Sequence, residues 1–141
     1  MKKILVRKNE SYDKAVHQIY KRICLFEQSI LFISGSMGAG KTTLASSLIS
    51  YYGGEHLNSA SYGIVSKIQG PSNIIHCDFY RYRPTDEFME VELLPLLKCP
   101  FLLIIEWGSP KILFYDSKHF LLKIESRVNG DRVLDFEEIR V

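Results

Sequence analysis

Apolar positions along the chain recur with two periods. Between residues 12 and 23, Tyr12, Ala15, Val16, Ile19 and Ile23 fall three and four apart, which predicts an amphipathic helix opened by cap residues among Asn9-Glu10-Ser11. Lys14, Lys21 and Arg22 are then its solvated face. Ile30-Leu31-Phe32-Ile33-Ser34 is instead a continuous apolar run, the signature of a buried strand. The helical period returns in Leu44, Ala45, Leu48 and Ile49 and stops at Gly53-Gly54. A polar loop from His56 to Ser61 precedes β-branched Tyr62–Ile68, a turn at Gln69–Asn73 and a short buried strand, Ile74–Asp78. Pro84-Thr85-Asp86 opens a short acidic helix, Glu87–Leu97, interrupted near Pro95. Pro100–Ile105 is the most apolar stretch and belongs in the middle of a parallel sheet. His119–Glu125 and Arg132–Glu137 partly alternate about Asn129-Gly130, a hairpin signal.

Helices interleaved with apolar strands, closed by a hairpin, predict an α/β fold whose mainly parallel sheet is flanked by helices and carries an antiparallel C-terminal hairpin. At 141 residues and 46% hydrophobic content the chain has the size of one domain with a real core. A net charge of +2 announces no strongly basic face for direct nucleic-acid binding. No segment is apolar over the length of a membrane span, and Met1–Val6 meets charge too soon for a signal peptide, so a cytoplasmic protein is expected. Cys24, Cys77 and Cys99 have no C-x-x-C spacing and read as small packed hydrophobes rather than disulfide or zinc ligands.

The chemistry concentrates after the first apolar run, where Gly35-Ser36-Met37-Gly38-Ala39-Gly40-Lys41-Thr42-Thr43 spells G-x-x-x-x-G-K-T between a strand and a helix. Successive backbone N–H groups at a helix N-terminus are suited to a polyphosphate. Gly35, Gly38, Ala39, Gly40, Lys41, Thr42 and Thr43 are the candidate nucleotide-binding residues. Lys41 reaches the β- and γ-phosphates and the Thr42 hydroxyl holds Mg²⁺. Residues 1–141 are accordingly read as a single P-loop ATPase domain.

Ligands of open α/β sheets bind beyond the carboxyl ends of the strands, where Asp78 and Glu106 both fall. Glu106 is the expected Walker B-type carboxylate near Mg²⁺; Asp78 is expected to position water or metal, with the two roles exchangeable. Asp78, Glu106 and Lys41 are thus the candidate catalytic residues. Trp107 lines the nucleotide, a partner surface or the core, and Ser59 and Ser61 belong either to an ordinary polar loop or to one placed to sense a γ-phosphate. His76 reads as a packed histidine, and Tyr80, Arg81 and Arg83 as an exposed basic segment or a phosphate- or partner-facing one.

Taken together, GSMGAGKTT at Gly35–Thr43, Ser59-Ala60-Ser61-Tyr62, His76-Cys77-Asp78-Phe79-Tyr80-Arg81 and Glu106-Trp107 resemble the TsaE family, small bacterial P-loop ATPases of tRNA threonylcarbamoyladenosine biosynthesis. The resemblance implies ATP bound with Mg²⁺, Thr42 and Glu106 near the metal, Asp78 and Trp107 needed for function, and an adenine flanked by the region of Ser11 and Arg132. It implies partners as well: TsaD and TsaB homologues, with tRNA reached through that complex. Ser59-Ala60-Ser61 stands where the family usually has Ser-Pro-Thr, so the hydroxyls are kept and the proline's fixed φ is not. With no arginine finger evident in the chain, partner-stimulated hydrolysis is expected. The competing functions are a small-molecule kinase, for which no arginine-rich lid is evident, and an ATP-sensing interaction module without turnover.

Overall fold

The computed structural model describes residues 2–55, 64–108 and 116–140. Among the described residues, seven strands form one sheet: β1 (Lys2–Val6), β2 (Gln28–Gly35), β3 (Val65–Lys67), β4 (Ile74–Asp78), β5 (Phe101–Glu106), β6 (Lys118–Ser126) and β7 (Arg132–Ile139). Their spatial order is β1-β7-β6-β2-β5-β4-β3. The four central strands, β6, β2, β5 and β4, are mutually parallel. The flanks are antiparallel: β7 on β6, β1 on β7 and β3 on β4.

Both faces of the central strands are buried, which is why β2 and β5 read as continuous apolar runs. Leu31, Ile33, Leu102 and Ile104 pack on one face with helices α1 (Asp13–Ile23) and α2 (Lys41–Tyr51), which contribute Val16, Ile19, Leu44 and Leu48. Ile30, Phe32, Leu103 and Ile105 pack on the other with Ile75, Cys77 and Leu93. A fully buried Ile or Leu contributes about 1.5–3 kcal/mol, so each helix is held mainly by its apolar stripe. Asp13 in the first turn of α1 and Lys21 and Arg22 in its last turn also oppose its dipole favourably.

Several local expectations shift. Tyr12, not a residue of Asn9-Glu10-Ser11, occupies the N-cap of α1, and Ser11 Oγ accepts the Asp13 N–H at 3.3 Å. The expected helix over 87–97 is helical as far as Leu96 but not regular. It starts as α3 (Asp86–Phe88), where Thr85 Oγ1 accepts the Phe88 N–H at 3.1 Å. It then widens into a π-helical turn, Met89–Leu93, and tightens into a 3₁₀ turn, Leu94–Leu96. Pro95 has no N–H to donate and its ring crowds the carbonyl four residues back, so a regular α-helix cannot run through it. Strand β1 was not evident beforehand: Ile4 and Val6 turn inward while Lys3 and Leu5 face outward. Cys77 is the packed hydrophobe expected, but Cys24 and Cys99 are exposed, so the reading of all three thiols as packed is corrected for those two.

The register positions the chemistry. Asp78 lies opposite Glu106 on β4 and β5, and Glu106 opposite Ile33 on β2, so all three strands deliver their ends to one edge. Gly35 closes β2 opposite Ile124 of β6; a Cβ there would stand 2.5 Å from the Ile124 carbonyl oxygen, a clash that demands glycine. No helix of the described residues is long and apolar enough to cross a membrane.

Candidate nucleotide site

Between β2 and α2 the chain makes a tight loop in which the Ala39 N–H bonds the Ser36 carbonyl at 3.1 Å. Gly38 and Gly40 adopt φ of +79° and +104°. Gly40 is the N-cap of α2 and offers no capping side chain, and no acidic residue sits in the first turn. Among the described residues no side chain caps the first N–H groups of the helix, which leaves them to an external acceptor, and the dipole favours an anion there.

Lys41 is almost fully buried at 5% exposure. Its Nζ donates to the carbonyls of Gly35 and Ser36, 2.8 Å each, and stands 3.9 Å from the centroid of the Trp107 ring. Burial pushes its ammonium below the ordinary lysine value, and the carboxylates of Glu106 and then Asp78 pull the other way. The Thr42 hydroxyl donates to Glu106 Oε1 at 3.0 Å, and His76 Nε2 lies 2.6 Å from Glu106 Oε2. Glu106 is 1% exposed, a carboxylate held beneath the loop and not at the cleft surface. Asp78 Oδ1 accepts the Tyr80 N–H at 3.0 Å, an Asx-type turn that aims the chain past the rim.

Met37, Gly38, Gly40, Lys41, Thr42, Thr43, Asp78, Tyr80, Trp107 and Arg132 line a cleft of about 450 Å³, a size ordinary for small-molecule sites. Trp107 is the only non-glycine residue with positive φ, +62°, among the described residues, and its ring lies 4.9 Å from that of Tyr80. Tyr12 and Arg132 also flank Gly40; the Tyr12 hydroxyl and Arg132 Nε are buried with no well-formed hydrogen bond among the described residues beyond their own proximity, and the guanidinium lies 5.9 Å from the Tyr12 ring. Two buried orphaned polar atoms beside a phosphate-type loop are suited to a polar ligand. Larger hollows exist, of about 660 Å³ at the opposite strand ends, about 1000 Å³ beside Lys2 and Lys118 and about 520 Å³ beside Arg7 and Asp131, but none presents a free helix N-terminus among the described residues.

The loop, β4 and β5 thus bring Gly35, Gly38, Ala39, Gly40, Lys41, Thr42, Thr43, Asp78, Glu106 and Trp107 to one edge of the sheet. Gly35 and Ala39 shape the loop without lining the cleft. Ser59 and Ser61 lie outside the described residues. His76 and Tyr12 were not singled out for this site by their residue types. The signal for His76 was the period of two along β4, which puts it on the same face as Asp78. For Arg132 the signal was the family resemblance and not a local pattern, since β7 brings it across from the far end of the chain. No group of three or more His, Cys, Asp or Glu able to hold a metal exists among the described residues. The Thr42 hydroxyl and Glu106 carboxylate nonetheless form a hard-oxygen pair of the kind Mg²⁺ uses when phosphates and waters complete its shell.

Residues 6–134 match the family described as "Threonylcarbamoyl adenosine biosynthesis protein TsaE". The chain belongs to the TsaE family. Over 84 residues this TsaE-family chain is 32% identical to the tRNA threonylcarbamoyladenosine biosynthesis protein TsaE of Rickettsia bellii, covering 57% of the chain and 58% of that protein. The protein of the same description from Rickettsia typhi is 31% identical over 83 residues, covering 57% of each. The chain therefore spans less than two thirds of the curated relatives it matches. The crystal structure of Bacillus subtilus YdiB superposes with a TM-score of 0.64 over 99% of this chain and 87% of that one, at 19% identity. The likeness carries the fold: an α/β architecture with a parallel core.

Proposed function

We propose that this TsaE-family chain binds ATP with Mg²⁺ and hydrolyses it in the cytoplasm, as a single domain, to support tRNA threonylcarbamoyladenosine modification through a complex with TsaD and TsaB homologues. The observation that carries the reading is the uncapped, glycine-opened N-terminus of α2, with Lys41 and the Thr42–Glu106 pair at the same strand-end edge.

The backbone N–H groups at the start of α2 receive phosphate oxygens. Lys41 exchanges the carbonyls of Gly35 and Ser36 for the β- and γ-phosphate oxygens, a replacement of neutral acceptors by charged ones. Thr42 and Glu106 are the residues that would hold Mg²⁺, which when bound neutralises charge on the transferring phosphoryl group. Asp78, at the rim, orients the attacking water, and Ser61 supplies a hydroxyl toward the γ-phosphate. Arg132 is the guanidinium on the cleft wall and takes the nucleotide side away from Asp78. Met37, Tyr80 and Trp107 leave apolar surface exposed at the cleft mouth, which favours a protein partner closing over it. With a net charge of only +2, tRNA is reached through that partner.

The test is phosphate release from Mg-ATP, first by the chain alone and then with its TsaD and TsaB homologues. Strong stimulation by the pair is expected. Nucleotide binding without release under either condition supports the sensor reading instead, and release only after a metabolite is added supports a kinase.

A further inference from the structure

We infer that His76 is a positioning residue that sets the orientation of the Glu106 carboxylate toward the nucleotide's metal ion, and so tunes Mg²⁺ affinity separately from phosphate affinity. The inference rests on the proposed Mg-ATP site.

Glu106 ends β5 and is 1% exposed, so neither of its oxygens has water to fall back on. Each is held from a different element: Oε1 by the Thr42 hydroxyl of α2 at 3.0 Å, Oε2 by His76 Nε2 of β4 at 2.6 Å. A carboxylate can only accept, so the proton in the second contact is on Nε2. His76 is itself buried, at 7% exposure, in a strand paired on both sides: opposite Ile104 of β5 and opposite Ser66 of β3. Its imidazole therefore meets Glu106 from a fixed scaffold.

The consequence is geometric. Two hydrogen bonds to opposite oxygens leave the carboxylate one plane, with Oε1 toward Thr42 and the loop. Without the imidazole, Oε2 is a buried charged oxygen lacking its donor, a state costly enough that the side chain rotates to recover one. Rotation withdraws Oε1 from Thr42 and so disperses the oxygen pair. The phosphate-binding elements keep their hydrogen bonds, because the Lys41 ammonium donates to the Gly35 and Ser36 carbonyls and not to Glu106, and its through-space attraction to Glu106 persists while that carboxylate stays charged nearby. A histidine bonded to a metal-side carboxylate commonly changes metal affinity 10–100-fold when removed.

Equilibrium titration of ADP, followed by Trp107 emission, separates the terms when it is run with Mg²⁺ varied and again with Mg²⁺ chelated. For His76→Ala the Mg²⁺ concentration at half-effect is expected to rise about 10–100-fold, with metal-free ADP affinity within about threefold of the parent. His76→Gln carries an amide N–H donor of similar reach and is expected to restore most of the Mg²⁺ response. It also keeps the question open to test if the alanine variant fails to fold. Unchanged Mg²⁺ dependence in a folded His76→Ala, an equal loss of metal-free affinity, or no rescue by His76→Gln each overturns the positioning role while leaving Mg-nucleotide binding intact. A parent protein whose ADP affinity ignores Mg²⁺ overturns the metal site itself, and the inference with it.

Discussion

Replacing Trp107 by alanine and by glycine should invert the usual ranking of those two residues. Trp107 has φ +62°, its ring lies 4.9 Å from that of Tyr80 and 3.9 Å from the Lys41 ammonium, and it is 39% exposed. Both substitutions lose the same contacts, an aromatic pair and a cation–π contact, each worth about 0.5–2 kcal/mol. Alanine keeps the left-handed backbone, which costs an L-residue about 1–2 kcal/mol; glycine does not. Against that relief, glycine has more unfolded-state freedom to lose, about 0.4–1 kcal/mol. The difference leaves Trp107→Gly more stable than Trp107→Ala by about 1 kcal/mol, or roughly 3 °C in Tm for a chain of this size. In a helix interior the order would be reversed. Because the substitution removes the single tryptophan, urea unfolding has to be followed by far-ultraviolet circular dichroism. Equal stabilities, or an advantage for alanine, would refute backbone strain at this position. The two variants should meanwhile weaken nucleotide binding alike, since neither retains the indole.

Gly40→Ala places a Cβ 2.7 Å from the Tyr12 hydroxyl and 3.2 Å from Arg132 Nε at φ +104°, whereas Gly38→Ala meets nothing within 4 Å and bears the strain of φ +79° alone. ADP titration should show at least about a tenfold loss for the first and a smaller one for the second, on a strain scale of roughly 1–3 kcal/mol per site. Burial raises the Cys77 thiol to about 12 from 9.0, so above pH 9 the unfolded chain releases this proton first and stability falls with pH. Urea unfolding of the parent against Cys77→Val should show that contribution growing by about 1.4 kcal/mol per pH unit from about pH 9 toward 12, and none below it.

How much was legible in the sequence follows the range of each requirement. The loop could be read because every demand on it is local: positive φ at Gly38 and Gly40, an ammonium at Lys41 and a hydroxyl at Thr42. Glu106 could be read from the apolar run it ends, and Asp78 from the same rule applied to β4. Strand β1 could not, because its place is set by pairing between residues 2–6 and 132–136, which no local pattern encodes; the region of Arg132 was indicated by the family resemblance alone, and Tyr12 was read only as part of the first helix. The irregular helix over 86–96 was foreseen as interrupted at Pro95, but the π-helical widening before it had no distinct signal. The exposed thiols show the reverse error: composition suggests burial for Cys24 and Cys99, and their places before β2 and before β5 leave them outside both cores.

The pairing of β1 and β7 also orders events in time. A chain emerging from the ribosome exposes the sequence of its phosphate loop and α2 by residue 51, yet β5 and β6, which flank β2, follow from residue 101, and Arg132 with the strand that carries β1 comes more than 80 residues later. Pairings of such long sequence separation close slowly. Nucleotide that binds only once Glu106, Trp107 and Arg132 stand around the loop therefore favours the docked state of those late strands.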